Sequence, residues 1–216
     1  LLEKLKSERF GSYFMEGYLE VRWHGRAQQG IVTAAKLLGE TALMEGKYVQ
    51  AFPEFGPERM GAPVKAFNRL SDEPIKLHCQ VKNPKIVLIA DSTLIGITLA
   101  GGMETSGGVS DDTAEGAIFI VNTPHSPEYM TKALNVTDDA TVYTIDASKI
   151  SMESLGRHMP NTPMLGALAK VAGVVELTSL FKSFKDNYSK KFSSKVIEGN
   201  IKAMERGAAE VKGGKG

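Results

Sequence analysis

The residues most able to do chemistry lie in one short stretch, Val21-Arg-Trp-His-Gly-Arg-Ala-Gln-Gln-Gly30. Residues 18–23 alternate, with Leu19, Val21 and Trp23 on one face, as a half-buried strand does. Gly25 to Gly30 break that pattern, and a helical period then sets in through Ile31, Ala34, Ala35, Leu38 and Ala42. A strand, a glycine-bounded loop and a helix together aim backbone N–H groups and the positive end of a helix dipole at an anion. Arg26 puts a fixed positive charge into the same loop. The chemistry indicated is phosphate binding. The plainer reading is that every α/β domain has such turns, and glycine there often serves only to connect.

Two common nucleotide signatures are absent. A dinucleotide loop needs G-x-G-x-x-G, and Ala27 stands at the second glycine, where close approach to a pyrophosphate tolerates no Cβ. A P-loop needs Lys and Ser or Thr directly after its last glycine, whereas Ile31, Val32 and Thr33 follow Gly30. Both facts count against NAD, FAD and ATP.

Composition narrows the class further. A chain of 216 residues suits one good core with a small appendage. Its 42% hydrophobic and 24% charged residues are those of an ordinary soluble protein, and a net charge of +1 argues against broad capture of nucleic acid or membrane. No apolar run approaches the roughly 18–20 residues of a membrane span, and the charged start lacks a signal-peptide core, so a cytoplasmic location is expected. The one cysteine, Cys79, rules out an intrachain disulfide and cannot by itself ligate an iron–sulfur cluster. It is expected to pack as a small hydrophobe. The four histidines, His24, His78, His125 and His158, lack metal-ligand spacing.

The elements that must position the loop follow from periodicity. Residues 1–17 read as an N-terminal extension with a short amphipathic helix. Strands are expected at 18–24, 48–52, 63–70, 86–90, 116–122 and 141–146, with a loop at 53–61. The continuous apolar runs at 86–90 and 117–121 suit strands buried on both faces. Asp91, Asn122 and Asp146 end their strands in polar side chains, as at the carboxyl edge of an open α/β sheet, where ligands bind. Helices are expected at 29–45, 161–175, 177–188 and 191–211, a flexible glycine-rich stretch at 101–108, and a fraying, disordered tail at 213–216. The fold class is α/β: a single domain over 18–212, a mostly parallel sheet covered by helices, and C-terminal helices.

Trp23-His-Gly-Arg-Ala-Gln-Gln-Gly30, then Gln50-Ala-Phe-Pro-Glu-Phe-Gly-Pro-Glu-Arg-Met-Gly-Ala-Pro63, Asn68-Arg-Leu-Ser-Asp-Glu-Pro-Ile75 and Asn161-Thr-Pro-Met-Leu-Gly-Ala167 occur in order. The chain resembles the gamma subunit of pyruvate:ferredoxin oxidoreductases and related 2-oxoacid:acceptor oxidoreductases, over residues 18 to about 204. The resemblance implies one part of an enzyme that converts a 2-oxoacid and coenzyme A to acyl-CoA and CO₂ while reducing ferredoxin. It implies thiamine diphosphate and 4Fe–4S clusters on partner alpha, beta and delta subunits, and a contribution by this chain to the coenzyme A site. It assigns no catalytic residue and no metal ligand here. Pyruvate is the expected substrate; 2-oxoglutarate or a branched-chain 2-oxoacid are the alternatives, since that choice belongs to other chains.

Carried over by position, the coenzyme residues are Gly25, Arg26, Ala27, Gln28, Gln29, Gly30, Arg59 and Asn161. The family often has glycines where this chain has Ala27 and Gln28, and Met60 replaces a frequent basic residue. Arg26 and Arg59 could instead form interface ion pairs, and Asn161 could simply cap its helix. Trp23, Phe52 and Phe55 read as packing or interface residues rather than a base-stacking platform. The lysines at 182, 185, 190, 191 and 195 read as a solvated helix face. A purely structural subunit without a ligand is the alternative function.

Overall fold

Short apolar runs between turn residues become the strands of one mixed sheet in a computed structural model that describes residues 17–55, 61–96 and 108–214. Seven strands lie in the order β2-β3-β1-β4-β5-β6-β7. They are β1 (Leu19–Arg26), β2 (Tyr48–Phe55), β3 (Pro63–Ser71), β4 (Ile86–Ile89), β5 (Ile118–Asn122), β6 (Thr141–Ile145) and β7 (Lys212–Gly213). The centre, β1-β4-β5-β6, is parallel throughout. β3 and β7 run antiparallel to their neighbours and flank that centre. Every residue of β4 and β5 is buried, which is why both read as unbroken apolar runs.

Helices cover the sheet unequally. On one face lie α1 (Ile31–Met44), α3 (Ala147–Leu155), α4 (Asn161–Ala172), α5 (Leu177–Tyr188) and α6 (Ser194–Glu210), sharing a core with Val21, Trp23, Leu88 and Ile120. On the other, α2 (Pro127–Leu134) packs Met130 and Leu134 on Val87, Ile89, Phe119 and Val121, beside Leu94 and Val109. α4 is buried along nearly its whole length, so its backbone can touch other elements directly.

The α/β class and the parallel central strands agree with expectation; several details do not. α2 and α3 are absent from the periodicity because each presents few core positions, two in α2 and three in α3. Their cap chemistry is what marks them. The side chains of Ser126 and Asp146 accept first-turn N–H bonds, and each helix ends in a left-handed residue, Asn135 or Gly156. Pro53 to Phe55 continue β2 rather than opening a loop, pairing with Ala66, Lys65 and Val64. Phe52 stacks on Phe67 at 5.3 Å between centroids, an intrachain packing partner. Gly213, expected to fray, pairs with Tyr143 in β7. Cys79 is exposed in an irregular segment, so it does not pack as a core hydrophobe. The expected N-terminal helix and most of the 101–108 stretch lie outside the described residues.

Two polar links bind β1 into the sheet. Trp23 is fully buried and donates its indole N–H to Asn68 Oδ1 at 2.9 Å, and Asn68 Nδ2 donates to the Ala35 carbonyl of α1 at 2.7 Å. Arg69, 1% exposed, pairs with Glu20 at 2.6 Å and donates to Gln50 and the Cys79 carbonyl. Such a buried charge persists only when every donor is spent in this way.

Close backbone contact between α4 and α6 sets the position of the α4 N-terminus. A Cβ added at Gly166 would fall 1.9 Å from the Met204 carbonyl oxygen, and one at Gly207 2.0 Å from that of Pro163. Gly166→Ala is therefore expected to destabilise the chain by roughly 2–3 kcal/mol despite the better helix propensity of alanine, because two helices must separate. Thermal or denaturant unfolding of the variant beside the parent checks this; an unchanged or raised midpoint would refute the contact.

Candidate functional site

β1 and β4 lie side by side in parallel, with Trp23 opposite Leu88 and His24 opposite Ile89. The chain leaves β1 for α1 on one face and leaves β4 for Leu94 and Val109 on the other. Divergence of successive connections opens a crevice at the carboxyl ends of two parallel strands, the usual ligand position in open α/β sheets. The loop of Gly25 to Gly30 sits at this point.

The loop is tightly built. Ala27 N–H donates to the Ala62 carbonyl at 2.9 Å, and Gln29 N–H to the Arg26 carbonyl at 3.1 Å. A Cβ at Gly25 would meet Ile31 Cγ2 at 2.8 Å, so close packing of loop, helix and β4 requires glycine there. Gln28 adopts φ 77°, a left-handed backbone that costs a non-glycine residue about 1–2 kcal/mol. Glycine would adopt that backbone without strain. Ala27 needs no such conformation.

Two helix N-termini converge on Gly30. It stands at the N-cap of α1 with φ 76°, and no side chain among the described residues caps that helix. Asn161 opens α4 behind Pro160, again without a side-chain cap. A Cβ at Gly30 would lie 2.7 Å from Asn161 Nδ2, so only a bare backbone lets the two ends meet. Neither first turn carries an acidic residue. Asn161 is 5% exposed, and its Oδ1 has no hydrogen-bond partner among the described residues. It does not cap its helix, the alternative its sequence position allows. The first N–H groups of a helix have no intrahelical acceptor, and two such ends side by side concentrate positive potential.

Arg26 is less free than its sequence context suggests. Its Nε lies 3.2 Å from Asp91 Oδ2, Nε and Nη2 donate to Thr93 Oγ1 at 3.3 and 2.9 Å, and Nη1 donates to the Gly61 carbonyl at 3.1 Å. Asp91 also accepts from Gln29 Nε2 at 2.8 Å and from Thr93 N–H at 3.0 Å. Gln29 Oε1 in turn accepts from Arg26 N–H at 2.8 Å. Burial pushes the Asp91 carboxyl up, but hydrogen bonds from Thr93 and Gln29 and the charge of Arg26 together hold it below the usual carboxylate value.

The structure thus gathers Gly25, Arg26, Ala27, Gln28, Gln29, Gly30 and Asn161 in one place; Arg59 lies outside the described residues. Asp91 and Thr93 belong to the same cluster, and sequence reasoning marks Asp91 only as a polar strand end. The other two polar strand ends serve locally. Asn122 bridges the Ala90 carbonyl and Ser148, and Asp146 caps α3. Trp23 lies in the core and offers no stacking face. Lys182, Lys185, Lys190, Lys191 and Lys195 are exposed along α5, the turn after it and the start of α6.

The chain and its fold match known proteins. A family model described as pyruvate ferredoxin/flavodoxin oxidoreductase matches residues 20–210. The pyruvate synthase subunit PorC of Thermotoga maritima is 42% identical over 195 residues, 90% of this chain and 95% of that one. A subunit named common subunit gamma of pyruvate/ketoisovalerate oxidoreductases, from Thermococcus litoralis, is 39% identical over 87% of this chain and 96% of its own length. The crystal structure of the Thermotoga maritima pyruvate oxidoreductase subunit PORC superimposes with TM-score 0.78 at 39% identity, covering 92% of this chain and 99% of that one. A 2-oxoglutarate:ferredoxin oxidoreductase of Magnetococcus marinus, solved with 2-oxoglutarate, coenzyme A and succinyl-CoA, shares the fold at TM-score 0.70 and 21% identity, over 90% of this chain and 31% of that one. The chain belongs to the pyruvate ferredoxin/flavodoxin oxidoreductase family. Within it the chain is a gamma-type subunit of a 2-oxoacid oxidoreductase, a component of an enzyme complex.

One residue of the loop motif is a buried histidine. His24 is 4% exposed and its Nε2 has no hydrogen-bond partner among the described residues. Burial, with Arg22 and Lys65 nearby, holds its pKa well below the ordinary 6.5. Below pH 6.5 the unfolded chain takes up a proton that the folded chain refuses, so stability falls as pH falls, by up to about 1.4 kcal/mol per pH unit. Replacing His24 with Leu is expected to flatten that dependence between pH 6.5 and about 5. Urea unfolding at several pH values measures it, and parallel curves for parent and variant would contradict the assignment.

Proposed function

We propose that this chain supplies the phosphate-binding part of the coenzyme A site in a 2-oxoacid:ferredoxin oxidoreductase, with pyruvate as the substrate. The observation that carries the proposal is the convergence of two uncapped helix N-termini at Gly30 and Asn161, beside Arg26, in the crevice between β1 and β4. Backbone N–H groups at helix ends bind phosphate without a nucleotide fingerprint, which suits a ligand that is neither NAD nor ATP. The unpartnered Asn161 Oδ1, beside the N–H groups of the two helix ends, fits a ligand that brings both a hydrogen-bond donor and an anion.

On this reading the partner subunits alpha, beta and delta carry thiamine diphosphate and the 4Fe–4S clusters, and electrons leave for ferredoxin through them. With one cysteine, this chain is suited to a role that needs no thiolate ligands. Its residues bind and orient coenzyme A so that the thiol can meet an acyl group formed elsewhere. The names of the 42% and 39% identical relatives support pyruvate. A gamma subunit named as common to pyruvate and ketoisovalerate enzymes supports locating substrate choice in other chains. The structural alternative draws on one observation, that Asp91 already balances the charge of Arg26.

Kinetics of the assembled enzyme separate the two. Arg26→Ala is expected to raise KM for coenzyme A by the equivalent of roughly 1.5–3 kcal/mol, the worth of a charge-assisted hydrogen bond. Contacts to a remote phosphate hold ground and transition states alike, so kcat at saturating coenzyme A should stay near the parent value. Asn161→Ala should act in the same direction. A normally assembled Arg26→Ala enzyme with unaltered KM would favour the structural role.

A further inference from the structure

We propose that Asp91 is the positioning residue of the coenzyme loop, presenting one edge of the Arg26 guanidinium to the ligand; this rests on the coenzyme A reading above. A guanidinium has five N–H donors arranged as a planar fork. In Arg26 the Nε–H and one N–H of Nη2 point at Asp91 and Thr93, and one N–H of Nη1 points at the Gly61 carbonyl. Each terminal nitrogen has one N–H left without a partner among the described residues. The two terminal nitrogens of a guanidinium can together grip a phosphate or carboxylate, one N–H from each. Arg26 can therefore bind an anion while keeping its bond to Asp91. The ion pair orients the arginine without occupying the edge that would meet the ligand.

Asp91 is built for this task rather than for contact with an anion. Both carboxylate oxygens are spent: Oδ1 on Thr93, Oδ2 on Gln29 and Arg26. Through Gln29, whose Oε1 accepts from the Arg26 N–H, the same carboxylate braces the loop backbone. One group at the end of β4 thus sets both the side chain and the backbone of a loop that follows β1. An aspartate in a phosphate site otherwise repels the ligand. Here its charge is held by four donor contacts and its repulsion is offset at the arginine.

Asp91→Asn tests the role in the assembled enzyme. The amide nitrogen would set a donor against the donors of Gln29 and Arg26, so the brace fails while size is kept. KM for coenzyme A is expected to rise about tenfold, with kcat and KM for the 2-oxoacid near parent values. The double variant Arg26→Ala, Asp91→Asn is expected to be no worse than Arg26→Ala alone, because the two act as one unit. Effects that multiply, or an Asp91→Asn enzyme with parent KM beside an impaired Arg26→Ala enzyme, would overturn the positioning role and leave the coenzyme A reading standing. Parent KM in both variants would overturn that reading and this one with it. Should Asp91→Asn fail to assemble, Thr93→Val keeps both charges and removes the hydroxyl between them. A rise of about threefold in KM for coenzyme A supports the role, and no rise overturns it.

Discussion

Backbone-to-backbone packing of α4 on α6 is the constraint on which the site depends. Carbonyls of Met204 and Pro163 occupy the places where Cβ atoms of Gly166 and Gly207 would stand. With the helices at that distance, the start of α4 is held at a fixed height above the sheet, and Asn161 reaches the bare backbone of Gly30. Any bulkier contact would withdraw one helix N-terminus from the other. The positive potential at the crevice is a sum of two short-range fields, so separation by a few ångströms would lose most of it.

Much of the fold can be read from the sequence because burial imposes its own pattern. β4 and β5 are buried on both faces and appear as runs of aliphatic residues; in α5, Leu177, Leu180, Phe181, Phe184 and Tyr188 lie in or against the core and form a stripe that marks both of its ends. α2 and α3 do not show themselves in this way. Each is a short helix with few buried positions, and their capping residues Ser126, Asp146 and Gly156 carry the signal instead. β2 runs three residues past its alternating stretch because pairing with β3, rather than its own pattern, holds Pro53 to Phe55 in the sheet. β7 exists only by its pairing with β6, a tertiary event that the two residues Lys212 and Gly213 cannot announce.

The site is legible in parts and not as a whole. Local chemistry marks the glycine loop, and the start of α4 marks Asn161, but nothing local says that they touch. Likewise Asp91 and Gln29 stand 62 residues apart in the chain and Arg26 and Thr93 stand 67 apart, and only the parallel pairing of β1 with β4 brings their loops together. A charge read from sequence is a formal charge; whether it faces a ligand or an internal partner is decided by the strand order.

That distinction governs how such a site recognises an anion. A loop whose arginine is already paired draws its potential mainly from N–H dipoles that are fixed in the backbone and need no reorganisation when the ligand arrives. An ion pair with a neighbouring carboxylate lowers the long-range field, which reduces capture of stray anions, while the arginine keeps the short-range geometry that reads a phosphate. On the coenzyme A reading proposed above, selectivity by geometry has an advantage over selectivity by charge. Bulk charge attracts every nucleotide and metabolite phosphate alike, whereas fixed N–H groups at two adjoining helix ends favour an anion whose oxygens match their geometry.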